Sequence, residues 1–141
     1  MGATMRLALV TVVGAFALVM LTACVGSGLG FAALDRAEAP GDALPTDLPD
    51  YAYDDIVRSS SRFLVEHDGN RLYLVKAEET DRVCLLIYPD STDWVLGCGG
   101  APEFGVGGTT GSYVVRADAP ASAPAPAGHS RKIAPNLFTD Q

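Results

Sequence analysis

The segment Leu7 to Val25 constrains this 141-residue chain more than any other: it runs nineteen residues without a charge. Ahead of it stand only Met1 to Arg6, with one basic side chain. A short cationic start, an apolar middle and small residues before a cut site make a secretory signal. As a helix the run would reach about 28 Å, close to the roughly 30 Å of a bilayer core. On either reading these residues serve a membrane and not a globular core. The positive-inside tendency keeps Arg6 in the cytoplasm and exports the residues beyond the apolar run.

The run ends in Leu21-Thr22-Ala23-Cys24, which resembles a bacterial lipobox. In that family the peptidase cuts before the Cys, and a diacylglycerol is attached to its sulfur. The resemblance implies a signal peptide over 1–23, a lipid on Cys24, and Gly26-Ser27-Gly28 as a flexible tether. An uncleaved transmembrane helix over 7–25 competes with it and would leave Cys24 as a membrane-embedded thiol. The return of apolar residues at Leu29 to Leu34 fits that helix better than a tether. A cleaved, freely secreted form is the third reading. The first two put the chain on the cell membrane with its domain on the extracytoplasmic side.

The formal net charge is −7, and most of it falls between Asp35 and Asp55, where seven acids face one base, Arg36. This predicts a solvated, self-repelling stalk or linker over 24–50. No calcium-loop spacing occurs there. The rest of the chain carries no basic patch, so nucleic acid is not an expected partner. The folded domain is expected over 51–116. A Pro/Ala spacer comes next over 117–128, and then a tail over 129–141. A domain this small tends to need a covalent or metal staple.

Cysteine supplies one. There are three Cys, and setting Cys24 aside leaves Cys84 and Cys98 as an even pair in an exported domain, where a disulfide is the usual outcome. Closing that loop stabilises by about 3 kcal/mol in the chain-entropy model. A metal site of Cys84, Cys98 and His67 lacks the paired C-x-x-C spacing of structural zinc. No metal and no cofactor are expected.

Hydrophobic alternation predicts strands. Arg62 to His67 and Arg71 to Ala77 flank Asp68-Gly69-Asn70, a turn signal, and read as a β-hairpin. Arg82 to Tyr88 is a nearly continuous apolar run, which suits a central strand covered on both faces. Ser112 to Arg116 is a fourth strand. Ser91 to Gly100 is a helical turn or a short strand, and Tyr53 to Ser61 is a weak candidate for a short helix. The fold class expected is mainly β, a compact antiparallel meander of four to five strands with one disulfide. One or two short helices would make it a small α+β arrangement, and the apolar N-terminal helix precedes it.

The hairpin "RFLVEHDGNRLYL", then "VCLLIYP", then "DWVLGCGG", about forty residues, resembles small membrane-anchored envelope proteins of unknown function from GC-rich Gram-positive bacteria. The resemblance implies a β-rich domain with one Cys on a central strand and another shortly after a Trp. It also implies a last edge strand at Lys132 to Thr139, although Pro135 interrupts it. It brings no activity.

No catalytic motif emerges. The Gly-rich run Gly97 to Gly111 has no Lys and no P-loop pattern, and reads as a surface loop. A Ser-His-Asp set can be drawn on paper from Ser59 to Ser61, His67 and Asp54 or Asp55, but no G-x-S-x-G elbow surrounds any Ser. Glu78 and Glu79 are adjacent in a turn and do not converge as paired carboxylates must. His129 lies in the Pro/Ala tail. The expectation is a non-enzymatic envelope module that binds another envelope protein or a cell-wall component. The alternative is an envelope enzyme or enzyme inhibitor without a recognisable motif. The candidate binding surface is Trp94 with Tyr73, Tyr88 and Tyr113. Trp94 competes between stacking a ligand and packing beneath the disulfide.

Overall fold

The structure is a computed structural model that describes residues 30–129 and 131–140. The expected signal or membrane segment and the expected lipid site, Cys24, lie outside the described residues. Among the described residues no helix is long and apolar enough to cross a membrane.

Local sequence rules build the first sheet. Strands β1 (Arg62–His67) and β2 (Asn70–Lys76) are joined by Asp68 and Gly69. Both take positive φ, 49° and 77°, the backbone of the tight hairpin turn whose twist matches the strands. Strands β3 (Val83–Tyr88) and β4 (Val95–Gly99) continue the meander in the order β1-β2-β3-β4. Cys84 stands opposite Cys98 in the β3–β4 register, and their sulfurs form a disulfide.

A second four-stranded antiparallel sheet faces the first. It contains β5 (Glu103–Gly108), β6 (Gly111–Arg116), β7 (Arg131–Ala134) and β8 (Leu137–Thr139), in the order β5-β6-β8-β7. The single meander expected from the sequence is therefore divided between two sheets: its first three strands are β1 to β3, and its fourth, Ser112 to Arg116, is β6 of the second sheet. Two features hid most of the second sheet. Strand β5 is "EFGVGG", a stretch whose glycines read as loop. Lys132 to Thr139 is not one edge strand, because Pro135-Asn136 is a turn that folds it into the β7–β8 hairpin, with β8 inside the sheet. Asn136 takes φ 62° there.

Period-two alternation gives β2 and β3 two buried faces. Inward, Leu72, Leu74, Val83, Leu85 and Ile87 pack against Val106, Tyr113, Val115 and Leu137 of the second sheet. Outward, Tyr73, Val75, Cys84 and Leu86 form a second core with Leu44, Leu48, Ala52, Tyr53 and Ile56. Where β4 meets β5 the sheets approach closely. A Cβ on Gly97 would lie 2.7 Å from a methyl of Val106, and one on Gly99 would run into the Phe104 ring. Glycine is required at these two places because no side chain fits.

The acidic stalk expected over 24–50 is corrected over its described part. Phe31, Ala33 and Leu34, on and before the helical turn α1 (Ala32–Asp35), enter the core between the sheets. The Ala33 amide donates to Asn136 Oδ1 at 3.0 Å, which ties α1 to the β7–β8 turn. Asp42, counted as one more solvated acid, is buried. It accepts both Arg36 guanidinium nitrogens at 2.7 and 2.6 Å, the Ala39 amide at 2.7 Å and the Phe63 amide at 2.9 Å. The physical reason is the second core: the outer face of the first sheet is apolar and needs a cover. Charge density described the segment's surface and missed its leucines. The domain thus begins before residue 51.

It also extends past 116. The Arg116 guanidinium donates to the Pro124 carbonyl, and the Ala117 amide to the Pro102 carbonyl. This anchors the Pro/Ala spacer against the second sheet. In place of a short helix, Tyr53 to Ser61 holds one 3-10 turn, Arg58–Ser60, and another, Asp50–Tyr53, ends where the segment begins.

Candidate functional site

Two of the four aromatics expected to form a binding surface are interior. Tyr73 is 0% exposed and Tyr113 1%. Tyr73 points out of the first sheet but is covered by Phe63, edge-on at 5.4 Å between centroids, and by the Arg71 guanidinium at 5.3 Å. Tyr113 points between the sheets, where its hydroxyl accepts a hydrogen bond from Asn70 Nδ2 at 3.2 Å and lies 3.4 Å from His67 Nδ1. Burial raises the pKa of both phenols. Both serve packing. Alternation alone could not distinguish a strand's outer face from a solvent-facing one, since a third layer lies over this sheet.

Tyr88 and Trp94 remain at the surface, half-buried at one end of the second core. Cys84, Leu86 and Tyr88 share the outer face of β3. The pairing Leu86↔Leu96, continued by two residues, brings Trp94 beside Tyr88. The loop between them is closed by Asp90. Its Oδ1 accepts the Thr92 amide at 2.7 Å, the Thr92 hydroxyl at 2.6 Å and the Asp93 amide at 3.0 Å, a side-chain mimic of a turn. The Thr92 hydroxyl bond leads in lowering the Asp90 pKa.

Tyr51 completes the surface, although it is not among the four aromatics expected from the sequence. It sits on the 3-10 turn Asp50–Tyr53 and is 69% exposed. Its ring lies 5.9 Å from Trp94, tilted by 41°. The available signal was Asp50-Tyr51-Ala52-Tyr53: Tyr53 and Ala52 go into the second core, which turns Tyr51 outward. Beside this pair, the Tyr88 hydroxyl donates to the Asp47 carboxylate at 2.7 and 2.9 Å. That bond is the leading reason the phenol pKa is pushed up to about 12. At neutral pH Tyr88 is therefore a fixed donor, never a base.

The arrangement is two aromatic rings in tilted contact, with carboxylates of Asp47, Asp50, Asp90 and Asp93 on the neighbouring segments. Aromatic faces attract cations and stack on the apolar faces of ring compounds. Carboxylates accept hydrogen bonds from hydroxyl and ammonium groups. This is recognition chemistry. Among the described residues no group of three His, Cys, Asp or Glu is placed to hold a metal. The Ser-His-Asp set drawn on paper does not assemble either: Ser60 donates to the Val57 carbonyl, while His67 packs on Tyr113.

Compared with protein-family models, curated proteins and solved structures, the chain gives no match.

Proposed function

We propose that this chain is a membrane-anchored extracytoplasmic module of the cell envelope that binds another envelope protein or a cell-wall polymer without catalysing a reaction. The observation that carries the binding role is the Tyr51–Trp94 pair. On a sheet face otherwise covered by a third layer, it leaves a large aromatic ring in water, in tilted contact with a second and set among acids. Exposed aromatics of this kind are enriched at binding surfaces. The apolar N-terminal run and the LTAC tetrad support the anchor.

The test uses the full chain in its own membrane. A photo-crosslinking residue at position 51 is expected to capture one defined partner, and Trp94→Ala to abolish that capture. Capture no greater than from a crosslinker at the exposed Ser112 on the opposite sheet would refute the binding role. Intact-mass analysis of the membrane fraction tests the anchor: diacylglyceryl-Cys24 supports the lipidated form, and an unacylated full-length chain supports the helix.

The catalytic alternative has one observation in its favour. Ser112 Oγ lies 3.2 Å from His129 Nε2, and His129 Nδ1 lies 3.2 Å from the Ala127 carbonyl. A carbonyl, not a carboxylate, stands behind the imidazole, and Ser112 is exposed. No covalent labelling of Ser112 by a fluorophosphonate would dismiss this reading.

A further inference from the structure

Between residues 38–50 and the chain at 53–61 lies a cavity of about 360 Å³, separate in its lining from the aromatic pair. Its rim carries exposed charges of both signs, Arg58 against Glu38 and Asp50, that form no ion pair among the described residues. Arg58 lies face-on over the Tyr53 ring at 3.7 Å. Stacking uses the face of a guanidinium and leaves its N–H edge to bind. Among the described residues that edge has no carboxylate or hydrogen-bond partner. Glu38 and Asp50 line the same cavity, and neither carboxylate has a partner among the described residues. Asp42 also borders it, but its oxygens are consumed by Arg36 and two amides, so it acts as wall.

Ser61 also lines the cavity, but its Oγ is closed off from solvent and has no hydrogen-bond partner among the described residues, so it serves as wall and not as a contact for a ligand. Leu44 and Leu48 supply an apolar wall. The volume is at the small end of ligand sites, which run from about 300 to 1,000 Å³.

We propose that this cavity binds a small zwitterion, an amino acid or a dipeptide. The ligand's carboxylate would pair with the planar N–H edge of Arg58, its ammonium would lie between Glu38 and Asp50, and an apolar side chain would rest on Leu44 and Leu48. The charge pattern selects against singly charged ligands. A ligand without the carboxylate leaves Arg58 unmatched, and one without the ammonium brings a negative charge to a pair of carboxylates.

The test is titration calorimetry on the full chain in detergent micelles, with glycyl-leucine as probe. Saturable binding is expected, weakened about tenfold or more by either N-acetylation or C-terminal amidation of the probe. In Arg58→Gln, glycyl-leucine and its amide should bind equally. In the double variant Glu38→Gln, Asp50→Asn, acetylation should no longer matter. Tyr51→Ala should bind the dipeptide as the parent does, which separates this site from the aromatic pair. Absence of saturable binding by the unmodified chain, or equal binding of capped and uncapped probes to it, would overturn the proposal. Neither comparison depends on a variant that must fold.

Discussion

Replacing Asp42 by Asn tests whether the segment before residue 51 belongs to the domain. The carboxylate is 3% exposed and its partner Arg36 39%. It accepts four hydrogen bonds, two from the guanidinium and two from the Ala39 and Phe63 amides. A bond to a charged group contributes about 1.5–3 kcal/mol, but four such terms do not add, because Arg36 regains water when released. Removing one partner of a buried pair costs about 3–5 kcal/mol. The amide keeps one acceptor oxygen, so we expect a loss of about 3 kcal/mol, a large part of a total near 5–15 kcal/mol. Urea unfolding of the full chain in mild detergent, followed by the fluorescence of Trp94, the only tryptophan, would measure it. Acid supplies a second check. The Arg36 hydrogen bonds hold the Asp42 carboxyl well below the usual carboxylate range. A depressed folded pKa means stabilisation that is complete above the unfolded value near 4 and fades as pH falls toward the folded one. The gap between parent and variant should therefore close below about pH 4. A loss under about 0.5 kcal/mol at neutral pH, the scale of an ordinary surface change, would refute the reasoning. So would a gap indifferent to acid.

Three further outcomes are expected. Replacing Cys84 and Cys98 by Ser should cost about 3 kcal/mol in the same assay, the chain-entropy value for a loop of this length. Gly97→Ala should cost about 1–3 kcal/mol by overpacking, and Val106→Ala in the same chain should recover part of it, since the new methyl meets Val106; two additive losses would contradict the close approach of the sheets. Tyrosinate absorbance should show one phenol titrating near 12, lost in Tyr88→Phe and moved toward 10 in Asp47→Asn. Because the folded pKa is the higher one, the Tyr88–Asp47 bond contributes fully below about pH 10 and is lost as pH rises through the folded value.

Much of the first sheet was legible because its signals are local. Alternation in Arg62 to His67, the Asp68-Gly69 turn and the apolar run ending at Tyr88 each describe a strand or its boundary within a few residues. The second sheet was less legible because its signals are ambiguous. Glycines at 105, 107 and 108 permit a loop as readily as a strand, and Pro135 could break an edge strand or turn a hairpin. Of the candidate site, Trp94 and Tyr88 were legible as aromatics beside a turn. Tyr51 was not, because its exposure results from Ala52 and Tyr53 docking onto a sheet formed far along the chain.

The sequence by itself determined the pairing of Cys84 with Cys98, the run of strands β1 to β3 and a central strand apolar on both faces. These arise from side-chain period, turn stereochemistry and cysteine count, which act over short distances. Only the tertiary structure decided that Asp42 is an interior group, that Tyr73 and Tyr113 are core, and that Tyr51 is left exposed beside Trp94 while Arg58 lies over Tyr53. Burial is not a property of a residue. It depends on which distant segment covers it, and that contest is decided when the apolar outer face of the first sheet draws an acidic segment over itself.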